Sequence, residues 1–400
     1  MSGPNADTAL QSLLSHGTAL PRPRTATLAK LHNPATGQML DRGVVLRFPA
    51  PASFTGEDVV ELHVHGGAAV VRSVLDALTA LPGVRLAEPG EFTRRAFELG
   101  KMDLTEVEGV ADLLAADTAA QQRQALAHAS GEHSARLEIW RGEMLSCLAH
   151  TEAVIDFGEE EGLAEGVLAG VRPRIAALLS SLEQHLGAGR RGQLVRSGVR
   201  VALMGRPNAG KSSLLNALAG RPAAIVAAQP GTTRDALEVA LEVGGYKVLV
   251  TDTAGVRAAK GEVEAEGVRR ALAAAAAADV VAVVADAAAH PPRRSPSAAA
   301  VSCRTGEGMD TLLAELRGAV AAAAGGGGAA DDAALVTRER HQRHLAAAVA
   351  ALQRHQEAGP AAELAAEELR SAARELGRLT GAIDTEAVLD SVFSEFCIGK

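Results

Sequence analysis

A glycine-rich segment that ends in lysine and serine carries the strongest chemical signal in this sequence. Residues 205–212, Gly-Arg-Pro-Asn-Ala-Gly-Lys-Ser, fit the P-loop pattern G-x-x-x-x-G-K-S/T. Glycines in such a loop let backbone N–H groups close around phosphates, and the following helix start adds positive potential. Lys211 would reach the β- and γ-phosphates, and Ser212 would hold Mg²⁺. The pattern predicts a nucleotide site formed by Asn208, Ala209, Gly210, Lys211, Ser212 and Ser213.

Two later segments could complete a site for a nucleoside triphosphate. Asp252-Thr-Ala-Gly255 follows an apolar run about 40 residues after the P-loop. An aspartate at a strand end can hold Mg²⁺ through water, and Gly255 can offer its N–H to the γ-phosphate. A threonine in Gly231-Thr-Thr-Arg-Asp235 could complete the Mg²⁺ coordination. These segments add Thr232, Thr233, Asp252, Thr253, Ala254 and Gly255 to the predicted site.

The group that would orient an attacking water is not evident from the residues alone. Val256 follows Gly255, where many GTPases place a glutamine, and valine can neither donate nor accept a hydrogen bond. Either hydrolysis is slow or another group orients the water. Glu264 offers a carboxylate nearby, but from its chemistry alone a solvated helix face is the favoured interpretation.

The elements around the P-loop alternate between strands and helices. The apolar run at 199–204 predicts a buried strand that enters the loop, and a helix is expected over 212–219. Residues 237–243 and 246–250 predict two strands joined by Gly244-Gly245, which is typical of a hairpin. A further strand is expected over 279–285. These patterns predict an α/β nucleotide domain.

The rest of the chain predicts a small α/β domain and a helical domain in two pieces. In the α/β domain, strands are expected at 43–48 and 59–64 and a helix at 68–81. In the helical domain, apolar residues at helical spacing cover 104–129, 135–155 and 171–186, and this spacing resumes at 335–379. Breaks are expected at 187–189 and 197–198. The predicted domains are 1–102 (α/β), 103–196 (helical, first part), 197–324 (P-loop domain), 325–334 (a glycine-rich flexible connector) and 335–400 (helical, second part).

Composition and charge exclude several classes of protein. The chain is 47% hydrophobic and 22% charged, which is typical of a globular protein rather than a disordered one. The net charge of −8 and the 2% aromatic content argue against a generic nucleic-acid coat and a base-stacking single-strand binder. Three distant cysteines predict neither a disulfide framework nor a zinc site. No run of residues predicts a membrane span.

Taken together, the motifs resemble the MnmE (TrmE) family of tRNA-modification GTPases over nearly the whole chain. Besides the P-loop segments, the resemblance rests on Phe54-Thr-Gly-Glu-Asp-Val-Val-Glu61, His65-Gly-Gly67, Pro89-Gly-Glu-Phe-Thr-Arg-Arg-Ala-Phe97, Gly100-Lys-Met-Asp-Leu104 and the terminal Cys397-Ile-Gly-Lys400. It implies an N-terminal folate-binding and dimerisation domain, a discontinuous helical domain and an inserted P-loop G domain.

The resemblance also implies roles for individual residues. Asn208 would bind K⁺ together with the backbone of the loop around Ala227, Gln229 and Thr232, while Ser212 and Thr233 would bind Mg²⁺. Glu264 stands at the family's catalytic carboxylate position, which reverses the interpretation from its chemistry alone. Glu61, Lys101 and Lys400 match folate-contacting positions, Cys397 matches a cysteine required for tRNA modification, and Ser302-Cys303-Arg304 resembles a base-contacting loop.

The activity implied by the resemblance is GTP hydrolysis with K⁺ and Mg²⁺, coupled to modification of C5 of the wobble uridine of tRNA. The expected partners are a second copy of the chain, an MnmG-type FAD protein in a heterotetramer, and tRNA bound through that complex, with no membrane. A tetrahydrofolate derivative, 5-formyl- or 5,10-methylene-tetrahydrofolate, is the expected one-carbon carrier. The expected location is the cytoplasm, or a mitochondrion or plastid for a eukaryotic source.

Two departures from the family pattern bear on activity. Met1-Ser-Gly-Pro4 aligns with the end of the family's first strand, so a glycine-rich turn and a folate-contacting arginine are expected to be absent. The guanine-reading N-K-x-D motif is missing between Asp286 and the candidate strand at 299–302. A parallel crossover needs a dozen or more residues, so we expect one strand and one helix of the G domain to be deleted. Guanine preference should then suffer.

Two alternatives remain open at this level. One is a degenerate scaffold that binds folate and the tRNA complex without hydrolysing GTP. The other is a ribosome-assembly GTPase of the Era or EngA type, against which the terminal Cys397-Ile-Gly-Lys400 and the N-terminal motifs argue.

Overall fold

The computed structural model describes residues 1–157, 161–206, 209–221, 223–225, 238–252, 269, 272–285, 299–324, 336–357 and 361–382 of the 400-residue chain. These residues form two compact units. One comprises residues 1–111 with the described residues from Thr380 onwards, and the other comprises Asp112–Leu379. In the part of the chain that the structure describes, no helix combines the length and the apolar composition that crossing a bilayer requires.

The first unit is an antiparallel three-stranded sheet with helices packed against it. Its elements are α1 (Ala6–Leu13), β1 (Thr27–His32), β2 (Met39–Phe48), β3 (Val59–His63), α2 (Ala68–Thr79) and α3 (Glu91–Glu98), in the sheet order β1-β2-β3. Leu10, Leu31, Val45 and Val60 are fully buried between the helices and the sheet. The strands predicted at 43–48 and 59–64 and the helix predicted at 68–81 are confirmed as β2, β3 and α2. β1 was not predicted, because its short run alternates too weakly.

The helical region begins with two helices within the span 104–129, where helical spacing is predicted. It comprises α4 (Leu104–Leu114), α5 (Ala119–Ala129), α6 (Glu132–Phe157) and α7 (Glu161–Ser197), and later α10 (Glu339–Glu357) and α11 (Ala362–Thr380). The helical spacing predicted over 104–129 is divided between α4 and α5, because Thr118 starts a new helix. Its hydroxyl accepts from the backbone N–H of Gln121, and the Gln121 side chain accepts from the backbone N–H of Thr118.

Helix α7 continues through the break predicted at 187–189. Glycine often ends a helix, but here Gly189 allows close packing instead. A Cβ atom at Gly189 would lie 2.8 Å from Cγ1 of the buried Val336. The prediction of a break at this position is therefore wrong, and the helix ends at Ser197, as the second predicted break indicates.

A mixed four-stranded sheet follows the helical region. We call β4 (Val199–Met204), β5 (Glu238–Val243), β6 (Tyr246–Asp252) and β7 (Val280–Val283) the P-loop sheet, whose order is β5-β6-β4-β7. β4 runs parallel to β6 and β7, and β5 and β6 form the predicted hairpin. Helices α8 (Lys211–Ala219) and α9 (Met309–Ala323) pack on it, and residues 272–277 are also helical.

The candidate strand at 299–302 is not a strand in the structure. The N–H of Ser302 donates to the carbonyl of Glu307 at 2.9 Å, and the N–H of Gly306 donates to the carbonyl of Ser302 at 2.8 Å. The segment therefore closes a turn directly before α9. Within the described residues, β7 is the edge of the P-loop sheet. The predicted connector at 325–334 lies outside the described residues.

Candidate functional site

The P-loop leaves the sheet at the carboxyl end of β4 and enters α8. Gly205 has a φ of +156°, and a Cβ there would lie 2.2 Å from the carbonyl oxygen of Val284. Gly210 precedes α8 with a φ of +91°. Both positions favour glycine, the first for space as well as conformation. The loop consequently lies tight against the end of β7 and turns directly into the helix.

Lys211 is buried beneath this loop. It is 4% exposed, and its Nζ donates to the carbonyl oxygens of Gly205 and Arg206, each at 2.9 Å. A buried ammonium is costly unless it is hydrogen-bonded, and here two carbonyl groups satisfy it. These partners are neutral, so an anionic phosphate oxygen in the loop would be a stronger acceptor. The geometry holds the Lys211 ammonium against the start of the P-loop, at Gly205 and Arg206.

The first turn of α8 contacts the carboxyl end of β6. The Ser212 hydroxyl donates to Oδ2 of Asp252 at 2.5 Å, and Asp252 is 2% exposed. The parallel register pairs Leu203 with Asp252, so β4 and β6 end side by side. A hydroxyl and a carboxylate beside a phosphate-binding loop are oxygen donors of the kind that Mg²⁺ prefers.

The remaining predicted nucleotide residues are only partly described. Ala209 and Ser213 lie in the loop and the first turn of α8, and Ser302-Cys303-Arg304 forms the turn before α9, with Cys303 and Arg304 exposed. Outside the described residues lie the predicted site residues Asn208, Ala227, Gln229, Thr232, Thr233, Thr253, Ala254, Gly255, Glu264, Cys397 and Lys400.

A second candidate site lies in the first unit, where Glu61 borders a cavity of about 610 Å³. Oε2 of Glu61 lies 3.1 Å from Nε2 of His63, and both side chains are about half exposed. The cavity is otherwise largely apolar, with Phe54, Leu62, Val71, Leu75, Leu78 and Phe92 among its lining residues. Lys101 is not among the lining residues, and its Nζ donates to the carbonyl of Pro51 at 3.2 Å.

Arg95 holds two of the N-terminal motifs together, a role that the sequence analysis missed. Its guanidinium donates to Glu57 at 2.9 Å and to Glu91 at 2.7 Å. Glu91 also accepts two hydrogen bonds from Arg85, and these, chiefly, lower the pKa of Glu91 to about 2. The doubled arginine in the 89–97 motif was the available signal, but its partner is 38 residues away in sequence.

A mixed sheet whose parallel strands carry a glycine loop, a buried lysine and a serine–aspartate pair defines a P-loop nucleotide-binding protein, here joined to a helical region. Family models agree with this class. The model described as "MnmE helical domain" matches residues 104–397, and "GTP-binding protein TrmE N-terminus" matches residues 1–101. The chain belongs to the MnmE family of tRNA modification GTPases.

Similar proteins occur in bacteria and in animals. A tRNA modification GTPase MnmE of Parvibaculum lavamentivorans is 49% identical, with all of this chain and 95% of the relative covered. The mitochondrial 5-taurinomethyluridine-[tRNA] synthase subunits GTPB3 of Rattus norvegicus and Homo sapiens are 46% and 45% identical, with all of this chain and 89% of each relative covered. Neither the scaffold nor the ribosome-assembly alternative is favoured by these relatives.

Proposed function

We propose that this chain hydrolyses GTP as its part in the modification of the wobble uridine of tRNA. One observation carries the hydrolytic part of the proposal: the Lys211 ammonium, 4% exposed, is held against the P-loop by two neutral carbonyls. A phosphate oxygen can replace these weak acceptors without moving the lysine far. Family membership supports the coupling to tRNA modification, because relatives that match the whole chain are named for it.

The P-loop would hold the phosphates of GTP. The backbone N–H groups of residues 209–213 lie at the end of the loop and in the first turn of α8, where the helix dipole favours negative charge. Ser212, Thr233 and, through water, Asp252 would hold Mg²⁺, which offsets charge on the phosphate oxygens. The 2.5 Å contact between Ser212 and Asp252 supports this assignment, because it brings two suitable oxygen donors together beside the loop.

A monovalent cation would supply the further positive charge that hydrolysis requires. By the family resemblance, Asn208 and the backbone of Ala227, Gln229 and Thr232 would bind K⁺ where two G domains meet. Negative charge develops on the γ-phosphate during cleavage, and a fixed cation stabilises it. Glu264 would position the attacking water through a second water, since Val256 cannot do so.

Guanine recognition in this chain would differ from that of the family. Ser302, Cys303 and Arg304 would contact the base, without the support of an N-K-x-D motif. The alignments with the two relatives at 49% and 46% identity run over 425 and 446 residues, whereas this chain has 400. Those relatives therefore carry residues without a counterpart here, which supports the proposed loss of a strand and a helix. We expect weaker discrimination between GTP and ATP than intact relatives have.

The domain division and partners follow the family pattern. We assign 1–102 to folate binding and dimerisation, 103–196 and 335–400 to the helical domain, 197–324 to the G domain and 325–334 to a connector. A tetrahydrofolate derivative would bind near Glu61, and the largely apolar cavity beside that carboxylate supports this. Lys101 and Lys400 would contribute by resemblance, and Cys397 would act in the modification. The remaining partners are a second copy and an MnmG-type FAD protein, with the cytoplasm as the proposed location.

The decisive experiment measures GTP hydrolysis by the full chain in KCl and in NaCl at equal ionic strength. We expect faster hydrolysis in KCl, by about 10²-fold, because a fixed cation stabilises the transition state by a few kcal/mol. Asn208→Ala should abolish this difference without weakening GDP binding. Asn216→Ala is the matched control, since Asn216 lies exposed on α8 outside the loop.

Three outcomes would contradict parts of the proposal. Equal rates in the two salts would remove the role of K⁺. Absence of GDP binding by calorimetry would favour the non-hydrolysing scaffold. Failure to produce a modified wobble uridine with an MnmG-type partner and a folate donor, measured by mass spectrometry of digested tRNA, would remove the coupling to tRNA modification.

A further inference from the structure

The chain passes between the helical region and the P-loop sheet twice, and both crossings meet at one carboxylate. Arg196 lies in the last turn of α7, directly before β4, and Arg338 directly precedes α10, on the return from α9. Oδ1 of Asp112, near the end of α4, accepts from Nε of Arg196 and from Nη2 of Arg338, each at 2.8 Å. The fold thus brings Arg196 and Arg338, which are 84 and 226 positions from Asp112 in the sequence, to one oxygen atom.

These contacts are largely shielded from solvent. The side chains of Asp112, Arg196 and Arg338 are 16%, 31% and 11% exposed. Hydrogen bonds between charged groups are short and strong, and partial burial reduces their screening by salt. Asp112 therefore holds the two crossings far more firmly than a fully exposed ion pair would.

Glutamine side chains make further hydrogen bonds near Asp112, between helices α5, α7 and α10. Nε2 of Gln121 donates to the carbonyl of Arg196 at 2.9 Å, and Nε2 of Gln124 donates to the carbonyl of Gly192 at 3.2 Å. The carbonyl of Arg196 lies in the last turn of α7, where carbonyls have no partner within the helix, so Gln121 of α5 caps α7 from outside. Gln193 of α7 donates to Gln342 of α10 at 2.9 Å. We call these residues the collar: Asp112, Gln121, Gln124, Gln193, Arg196, Arg338 and Gln342.

Helix α7 links two separate cores. Ile175 and Leu182 are buried in the core of the helical region, whereas Leu194, two residues before Arg196, is buried in the core of the P-loop sheet. Because the helix is unbroken between them, it transmits displacement along its length rather than absorbing it. Charged contacts also join the two parts, including Lys247 with Asp117 at 2.7 Å. The two side chains of this pair are 24% and 36% exposed, and a single pair of partly exposed charges contributes little to stability.

We propose that Asp112 is a positioning residue that couples the nucleotide state of the P-loop sheet to the helical region. This inference rests on the proposed function. β4 alone separates Arg196 from the P-loop, so a shift of the loop on GTP binding or hydrolysis reaches Arg196 directly. Both arginines donate to the same oxygen of Asp112, so movement of either crossing strains the hydrogen bond made by the other arginine. The collar therefore adopts one of two arrangements, together with the P-loop sheet.

The test compares Asp112→Asn with Asp117→Asn in the full chain. The first keeps the size of the side chain but removes the charge shared by the two crossings. The second removes a separate ion pair, between Asp117 and Lys247, and leaves the hydrogen bonds of Asp112 to Arg196 and Arg338 in place. We expect Asp112→Asn to hydrolyse GTP within twofold of the unsubstituted chain but to support tRNA modification at least tenfold more slowly. Asp117→Asn should change neither rate by more than twofold.

Hydrogen–deuterium exchange distinguishes nucleotide-dependent coupling from a purely structural role of Asp112. In the unsubstituted chain, amide protection at residues 338–344 should differ between the GDP and GTP-analogue states, and in Asp112→Asn this difference should disappear. Equal behaviour of the two variants, or a parallel fall of hydrolysis and modification in Asp112→Asn, would overturn the proposal. If Asp112→Asn does not fold, Arg338→Gln provides the same test.

The two proposals fail in distinguishable ways. If the unsubstituted chain neither hydrolyses GTP nor supports modification, the proposed function is wrong. The coupling is then still decided by exchange at residues 338–344 with and without GDP. A nucleotide-dependent change that survives Asp112→Asn refutes the coupling, and one that is lost supports it.

Discussion

Replacing Gly205 by alanine should damage the P-loop without disturbing the helical region. The new Cβ would lie 2.2 Å from the carbonyl oxygen of Val284, a separation that real Cβ atoms essentially never show. The loop or the end of β7 must therefore move by most of an ångström. Such overpacking against backbone costs about 1–3 kcal/mol. A φ of +156° costs a non-glycine residue about 1–3 kcal/mol more. The expected loss is about 2–6 kcal/mol, a large share of a domain's stability.

Two optical signals separate the parts of the molecule in this experiment. The single tryptophan, Trp140, is buried in the core of the helical region, so its emission in urea reports on that core. Circular dichroism reports on the whole chain. Gly205→Ala should add an early transition to the dichroism curve, leave the Trp140 midpoint unchanged, and weaken binding of fluorescent GDP at least tenfold.

Gly210→Ala is the matched control for the steric part of this reasoning. Gly210 also has a positive φ, of +91°, but no atom lies within 4 Å of a Cβ built there. It should lose only the conformational contribution, about 1–3 kcal/mol. Equal destabilisation of the two variants, or native-like GDP binding by Gly205→Ala, would refute the clash with Val284.

Two further predictions concern the helical region and the first unit. In α7, Gly187→Ala should stabilise the unfolding transition reported by Trp140 by about 1 kcal/mol through helix propensity, because no atom lies within 4 Å of a Cβ built at Gly187. Gly189→Ala should destabilise the same transition, because its Cβ would approach Val336 to 2.8 Å. A loss of stability in both variants would contradict a continuous, closely packed α7. In the first unit, the lowered pKa of Glu91, about 2 against 4.5, means that its carboxylate stabilises the fold above about pH 4.5 and that this contribution is lost as the pH falls towards 2. After allowance for solvent screening, Glu91→Gln should therefore lower the free energy of unfolding by about 1–2 kcal/mol at pH 7 and by almost nothing near pH 2. Urea unfolding measures this, with Glu98→Gln as the exposed control. A loss of stability that is independent of pH would contradict its origin in the ion pairs of Glu91.

The local elements of the P-loop sheet could be predicted from the sequence because their signals are local. An apolar run at 199–204 reads as a buried strand, and the glycine pattern that follows specifies a tight phosphate loop. The Gly244-Gly245 pair marks the hairpin for the same reason, since both residues adopt positive φ angles of 64° and 87°. In each case the determining interactions lie within a few residues along the chain.

The glycines at 187 and 189 led to the wrong prediction of a helix end, because the effect of Gly189 depends on its packing against Val336, which is remote in sequence. Local propensity favours a helix end there, but packing of Gly189 against Val336 offsets that preference. The segment 299–302 was likewise predicted as a strand, although it leads into the turn at 302–307. A short apolar run cannot by itself reveal whether a neighbouring strand will pair with it.

The amino-acid sequence by itself determined the chemistry of the site: a lysine, a serine and an aspartate in the order and spacing of a P-loop protein. Only the tertiary structure decided how they meet. The parallel register of β4 and β6 brings Ser212 within 2.5 Å of Asp252, and the collar joins Asp112 to arginines 84 and 226 residues away. Hydrogen bonds and ion pairs act over a few ångströms of space, whereas sequence patterns extend over a few residues of chain. Contacts between distant segments therefore become visible only once the chain is folded.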